Sequence, residues 1–118
     1  MYKVIIAGCR DFSNYAQLCS CVDQALAGVE DVEIVSGGAR GTDALGERYA
    51  REHGCALKVF PAEWNKYGAA AGPIRNGQMA AYADALIAFW DGRSAGTRDM
   101  IRKAEEKGIK VQVQLIRG

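Results

Sequence analysis

Five short apolar runs alternate along the chain with four stretches of helical periodicity. The runs cover residues 4–7, 32–35, 57–60, 85–89 and 111–116, and the helical patterns cover 15–27, 43–53, 73–83 and 97–107. In the first helical stretch Tyr15, Leu18, Val22 and Leu26 form one apolar stripe at helical spacing. The punctuation agrees. Thr42 suits an N-cap, Pro73 a first helical position, and Gly54 and Gly108 C-terminal stops. Alternation of this kind predicts right-handed βαβ units and a parallel sheet.

Strand composition then predicts strand order. Val4-Ile5-Ile6-Ala7 and Ala85-Leu86-Ile87-Ala88-Phe89 are apolar throughout, the pattern of strands covered on both faces. Lys110-Val111-Gln112-Val113-Gln114-Leu115 alternates, and Leu57-Lys58-Val59 carries a charge, so both belong at edges. The order 3-2-1-4-5 satisfies all four strands. The expected fold is a Rossmann-like α/β three-layer sandwich with a five-stranded parallel sheet, built as a single domain over residues 1–118.

Composition fits this picture and narrows the function. The 118 residues include 49% hydrophobic and 25% charged, ordinary for a globular protein with a core. The formal net charge of +1 lacks the basic excess of a dedicated nucleic-acid binder. No apolar run reaches membrane-spanning length. Met1-Tyr2-Lys3 runs straight into a strand rather than a signal peptide, so a cytoplasmic protein with no membrane partner is expected. Cys9, Cys19, Cys21 and Cys55 form no CxxC pair, and His53 lies near none of the first three, so no metal site is expected.

In open α/β sheets, ligands bind beyond the carboxyl ends of the strands where strand order reverses. Here that point lies between strands one and four. Three loops gather there: Gly8-Cys9-Arg10-Asp11-Phe12, Ser36-Gly37-Gly38-Ala39-Arg40-Gly41-Thr42-Asp43, and Asp91-Gly92-Arg93-Ser94-Ala95-Gly96-Thr97. Two of them run from glycines through Gly-Thr into a helix. Helix N-termini offer unpaired N–H groups and partial positive charge, which suit an anion. A plain turn with a capping threonine explains one such loop; two at the same end of the sheet point to an anion site. Neither is a Walker A loop, and Arg10 interrupts any GxGxxG, which disfavours a dinucleotide redox cofactor; no cofactor is expected.

Arg10, Arg40, Arg75, Arg93 and Arg98 fall at this end, beside Asp11, Asp43, Glu63, Asp91 and Asp99. That mixture suits a small ligand with phosphate, hydroxyl and amine groups better than a long polyanion. Residues 61–72 form a long connection carrying Trp64 and Tyr67, either a stacking surface or lid, or simple packing.

Four segments together resemble a known family: Gly8-x-Arg10-x-Phe12, the Ser36 to Asp43 run, Ala71-Gly72-Pro73-x-Arg75-Asn76-x-x-Met79, and Ser94-x-Gly96-Thr97. They are similar to the YspA-like, YpsA-related branch of the SLOG superfamily. The resemblance implies a Rossmann-like fold, binding of nucleotides or nucleotide-derived signals, and a homodimer. The DNA-processing protein A family has a similar SGxARGxD loop and a later arginine-asparagine pair, and binds single-stranded DNA. The LOG-type phosphoribohydrolases carry a PGGxGTxxE loop that looks like the Gly96-Thr97 turn, but the glutamate position falls on Met100. The same spacing from Gly41-Thr42 falls on Leu45.

The first reading is therefore a nucleotide-binding module. Gly37, Gly38, Gly41, Thr42, Gly96 and Thr97 would hold the phosphate, with Gly8, Ser36 and Ser94 also among the ligand-binding residues and Arg10 in the polar shell. Arg75 and Asn76 would complete the polar shell, and Asp43 or Asp91 would accept ribose hydroxyls or orient an arginine. The second is a nucleotide N-glycosidase, for which Asp43, Glu63 and Asp91 are the candidate carboxylates. The third is single-stranded nucleic-acid binding. The absent glutamate favours binding over catalysis.

Overall fold

In the computed structural model, which describes residues 1–117, five strands form one sheet. The chain runs β1 (Tyr2–Gly8), α1 (Tyr15–Ala25), β2 (Val32–Ser36), α2 (Thr42–His53), β3 (Ala56–Val59), α3 (Trp64–Tyr67), a 3-10 turn (Gly68–Ala70), α4 (Ala71–Tyr82), β4 (Ala85–Trp90), α5 (Ala95–Lys107) and β5 (Lys110–Leu115). The strand order is β3-β2-β1-β4-β5 and every pairing is parallel. The Rossmann-like α/β architecture and the order read from strand composition are thus both observed.

The uninterrupted apolar strands are explained by covering on both faces. Val4 and Ile6 of β1 point toward α1 and α2, in one cluster with Leu18, Val22, Tyr49, Ile34, Ile87 and Phe89. Ile5 and Ala7 point the other way, in a second cluster with Met79, Leu86, Met100, Ile101 and Ala104 from α4, β4 and α5. Each fully buried Ile, Leu or Val contributes roughly 1.5–3 kcal/mol. Gly54 and Gly108 end α2 and α5 in left-handed conformations, φ 67° and 75°.

Three local expectations need correction. Residues 61–72 are not an extended loop: α3 and the 3-10 turn occupy most of them, and α4 starts at Ala71. Pro73 therefore sits third in α4, where its missing N–H falls among those without intrahelical partners. Thr42 is not an N-cap. Gly41 occupies that position with no side-chain bond, and Thr42 is the first helical residue. As its alternation predicted, β5 is an edge strand, and its outer apolar positions stay open. The α4–α5 cluster takes in Val111, while Val113 and Leu115 remain 40% and 66% exposed.

Helix α2 rests on β1 through Gly46, where an added Cβ would lie 2.9 Å from Ile6 Cβ and 3.0 Å from its Cγ2. Gly46→Ala would gain about 1 kcal/mol of helix propensity. Overpacking against a rigid strand costs about 1–3 kcal/mol. Gly46→Ala is expected to lower stability, by about 1 kcal/mol, in urea denaturation; a more stable variant would show that the α2–β1 contact is loose.

Candidate functional site

The loop after β1 is anchored on three sides. Cys9 N–H donates to the Phe89 carbonyl of β4 at 3.0 Å. The Thr42 hydroxyl and amide both donate to the Cys9 carbonyl, at 2.9 and 3.2 Å, tying the loop to α2. Phe12 stacks on Phe89 with ring centroids 5.2 Å apart. These contacts leave Arg10 and Asp11 exposed at the rim.

The loop after β2 is organised from within. Ser36, fully buried, accepts from the Gly38 amide at 3.1 Å and donates to Glu47 Oε2 at 2.7 Å. Asp43 Oδ2 accepts from the Ala39 amide at 3.3 Å. Arg75 of α4 enters this turn from the other side of the sheet. Its Nη1 donates to the Gly37 carbonyl and its Nε to Asn76 Oδ1 at 3.1 Å. A Cβ on Gly37 would lie 2.8 Å from both Arg75 Cζ and Asp43 Oδ2, so only glycine leaves room for the two charges.

The loop after β4 is held by Asp91, whose Oδ1 accepts from the Arg93 and Ser94 amides at 2.8 Å each. Ser94 caps α5, its hydroxyl accepting from Thr97 N–H at 3.4 Å and lying 3.1 Å from Thr97 Oγ1. Buried Asn76 clamps α4 to α5 by donating to the Gly96 carbonyl at 3.3 Å and to Asp99 Oδ2 at 3.0 Å. Gly96 itself faces open space: nothing lies within 4 Å of where its Cβ would be.

These loops enclose a cleft of about 820 Å³ at the carboxyl ends of β1 and β4. Of the residues singled out from sequence, Gly8, Arg10, Asp43, Arg75, Asn76, Asp91, Ser94, Gly96 and Thr97 line it. Gly37 and Gly38 line an adjoining smaller cleft with Arg10 and Arg75. Ser36, Gly41 and Thr42 line neither; Ser36 and Thr42 are buried and hold the two loops, and half-buried Gly41 lies against the Arg10 backbone. Glu63 lines neither cleft and is exposed at the start of α3. Glu47 was not singled out from the sequence, Asp99 was named only among the carboxylates at this end, and Trp64 only as a stacking surface, lid or packing residue. Glu47 was findable as the i+4 neighbour of Asp43 on one helix face. Trp64, half-exposed, lines both clefts.

Burial pushes the Asp43 carboxyl above its ordinary range, opposed by the Ala39 amide and by Arg75, and aided by Glu47. Burial pulls the Arg75 guanidinium down, with Asp43 opposing and Arg10 adding to the effect. The Ser94 and Arg93 amides hold Asp91 below the usual range, so it stays an anion engaged by its own loop. Burial raises the Cys9 thiol, which makes it a poor nucleophile. Among the described residues no group of three or more His, Cys, Asp or Glu is placed to hold a metal ion. No helix among them is long and apolar enough to cross a membrane.

A five-stranded parallel sheet with glycine turns and helix entrances around a polar cleft defines a Rossmann-like α/β class. Residues 2–67 match the YspA, cpYpsA-related SLOG family. The chain is 35% identical over 118 aligned positions to Gene 61 protein of Mycobacterium phage D29, covering 94% of each. The chain belongs to the YspA, cpYpsA-related SLOG family. Its fold is similar to that of DNA processing protein A from Streptococcus pneumoniae, with a TM-score of 0.76 at 23% identity over 96% of this chain. The chain spans 50% of that protein's length. TM1055, a structural genomics target, aligns with a TM-score of 0.69 at 21% identity, over 94% of this chain and 72% of that one.

Asp43 gives a pH test. Its folded-state pKa lies above the unfolded one, so its contribution to stability is fully present below the unfolded pKa and is lost as pH rises through the folded pKa. Asp43→Asn is expected to raise the urea midpoint at neutral pH, with the gain shrinking as the buffer is acidified. A less stable variant at neutral pH would mean that the attraction to Arg75 outweighs burial.

Proposed function

We propose that the chain binds a nucleotide or nucleotide-derived ligand in the large cleft. The open space over Gly96 carries this reading. Neither backbone conformation nor a neighbouring atom requires glycine there, and glycine in a helix is disfavoured by about 1 kcal/mol relative to alanine. A ligand approaching the first turn of α5 gives the missing side chain a purpose. A phosphate at this turn meets amides that have no intrahelical partner, the Ser94 and Thr97 hydroxyls, and the positive end of the helix dipole.

Arg10 and Arg75 then supply guanidinium donors, and the Asp43 carboxyl faces the same cleft as a partner for ribose hydroxyls. Asp11, Asp43, Asp91 and Asp99 stand against the arginines along the wall. Such balance fits a compact ligand of mixed polarity and opposes a long polyanion. A nucleotide N-glycosidase reading keeps one supporting observation, the raised carboxyl of Asp43 in the cleft, which a general acid needs. Of the other two candidate carboxylates, Asp91 is engaged by its own loop and Glu63 lies elsewhere.

Thermal unfolding with a panel of nucleoside mono- and diphosphates tests the reading. A ligand at a hundredfold excess over its Kd stabilises by about 2.7 kcal/mol. Gly96→Leu fills open space, so it is expected to leave the unliganded melting temperature unchanged or slightly raised while abolishing the ligand-induced shift. Arg75→Ala is expected to weaken binding at least tenfold (about 1.4 kcal/mol). A shift that survives Gly96→Leu places the ligand elsewhere; free base appearing in the panel assigns the glycosidase instead.

A further inference from the structure

The smaller cleft, about 460 Å³, differs from the large one in charge. Arg10, Arg40 and Arg75 stand on its walls, and its lining holds no aspartate or glutamate; Asp43, the carboxylate that acts on Arg75, lines the large cleft instead. None of the three makes an ion pair with a carboxylate among the described residues. Three arginines around one hollow with no carboxylate in its lining give it an excess of positive charge, which an anion between them would offset. Two amides of the turn beneath are already engaged. Gly38 N–H is taken by Ser36 and Ala39 N–H by Asp43. The arginine side chains are the charged donors here, and their forked geometry suits phosphate oxygens.

The two clefts adjoin. Arg10, Ala39, Trp64 and Arg75 line both. Trp64 is 52% exposed, a large aromatic left open at the junction above Gly72, whose added Cβ would meet the indole at 3.5 Å. Arg40 faces the smaller cleft alone.

We propose that the smaller cleft is a second anion subsite, so that the ligand is a small nucleotide bearing two separated phosphate groups, of the nucleoside bisphosphate or dinucleotide class. This rests on the nucleotide reading of the large cleft. One phosphate sits at the α5 entrance, and the second lies among Arg10, Arg40 and Arg75. Trp64 offers an aromatic face to the base or sugar that joins them.

Titration calorimetry on the full chain tests this with the 5′-monophosphates and 3′,5′-bisphosphates of the four common ribonucleosides. At least one bisphosphate is expected to bind about tenfold more tightly than its monophosphate. Arg40→Ala is expected to erase that advantage while leaving monophosphate affinity within about twofold. Arg40 is exposed, so its variant is expected to melt like the parent chain. Equal affinities for the two ligand kinds, or an advantage that survives both Arg40→Ala and Arg40→Glu, would overturn the second subsite and leave the nucleotide reading standing. Failure of every mono- and bisphosphate to bind would remove both. A ten-nucleotide single strand that displaces the bisphosphate and loses affinity steeply with salt would assign the cleft to nucleic acid instead.

Discussion

The site depends on one half-buried charge. Arg75 starts on α4, on one face of the sheet, and ends against the Gly37 carbonyl in the turn after β2. Its Nε reaches Asn76, and Asn76 reaches the Gly96 carbonyl and Asp99 on α5. A single arginine-asparagine pair thus fixes three elements relative to each other. A guanidinium cannot shed its proton to ease its burial, so the surroundings must accommodate it. Gly37 does so by having no side chain, and Asp43 by placing a carboxylate nearby.

That arrangement explains why the cleft is polar yet ordered. The polar side chains that shape the turns have named partners: Ser36 with Glu47 and Gly38, Thr42 with Cys9, Asp91 with Arg93 and Ser94. Loops satisfied from within can keep their shape without a ligand, which reduces the ordering cost of binding. The exposed arginines and the first turn of α5 are left as the groups able to change partner. Charge then divides the surface. Mixed signs line the large cleft, and arginines alone line the smaller one.

Strand order was legible because burial on two faces and on one face leave different patterns. Val4-Ile5-Ile6-Ala7 feeds both core clusters by alternate residues, and no edge strand has that composition. The location of the cleft followed from the order. Side-chain roles were less legible. Thr42 looks like a cap, yet its hydroxyl turns inward because the Cys9 carbonyl lies 2.9 Å away, a contact 33 residues distant in sequence. Ser36 belongs to the same motif as Gly37 and Gly38, yet it is fully buried and bonded to Glu47. The helical turns after Pro61 were hidden because Gly68, Gly72 and Pro73 read as loop residues. Trp64 entered both clefts through that unforeseen helix.

The central claim is that a phosphate sits at the entrance of α5, within reach of Arg75. A crystal of the chain soaked with a nucleoside 5′-thiophosphate would locate that group by the anomalous signal of its sulfur. The account requires a peak beside Ser94, Gly96 and Thr97, on the side facing Arg75. A peak confined to another surface, or an empty α5 entrance at a saturating soak, would contradict it.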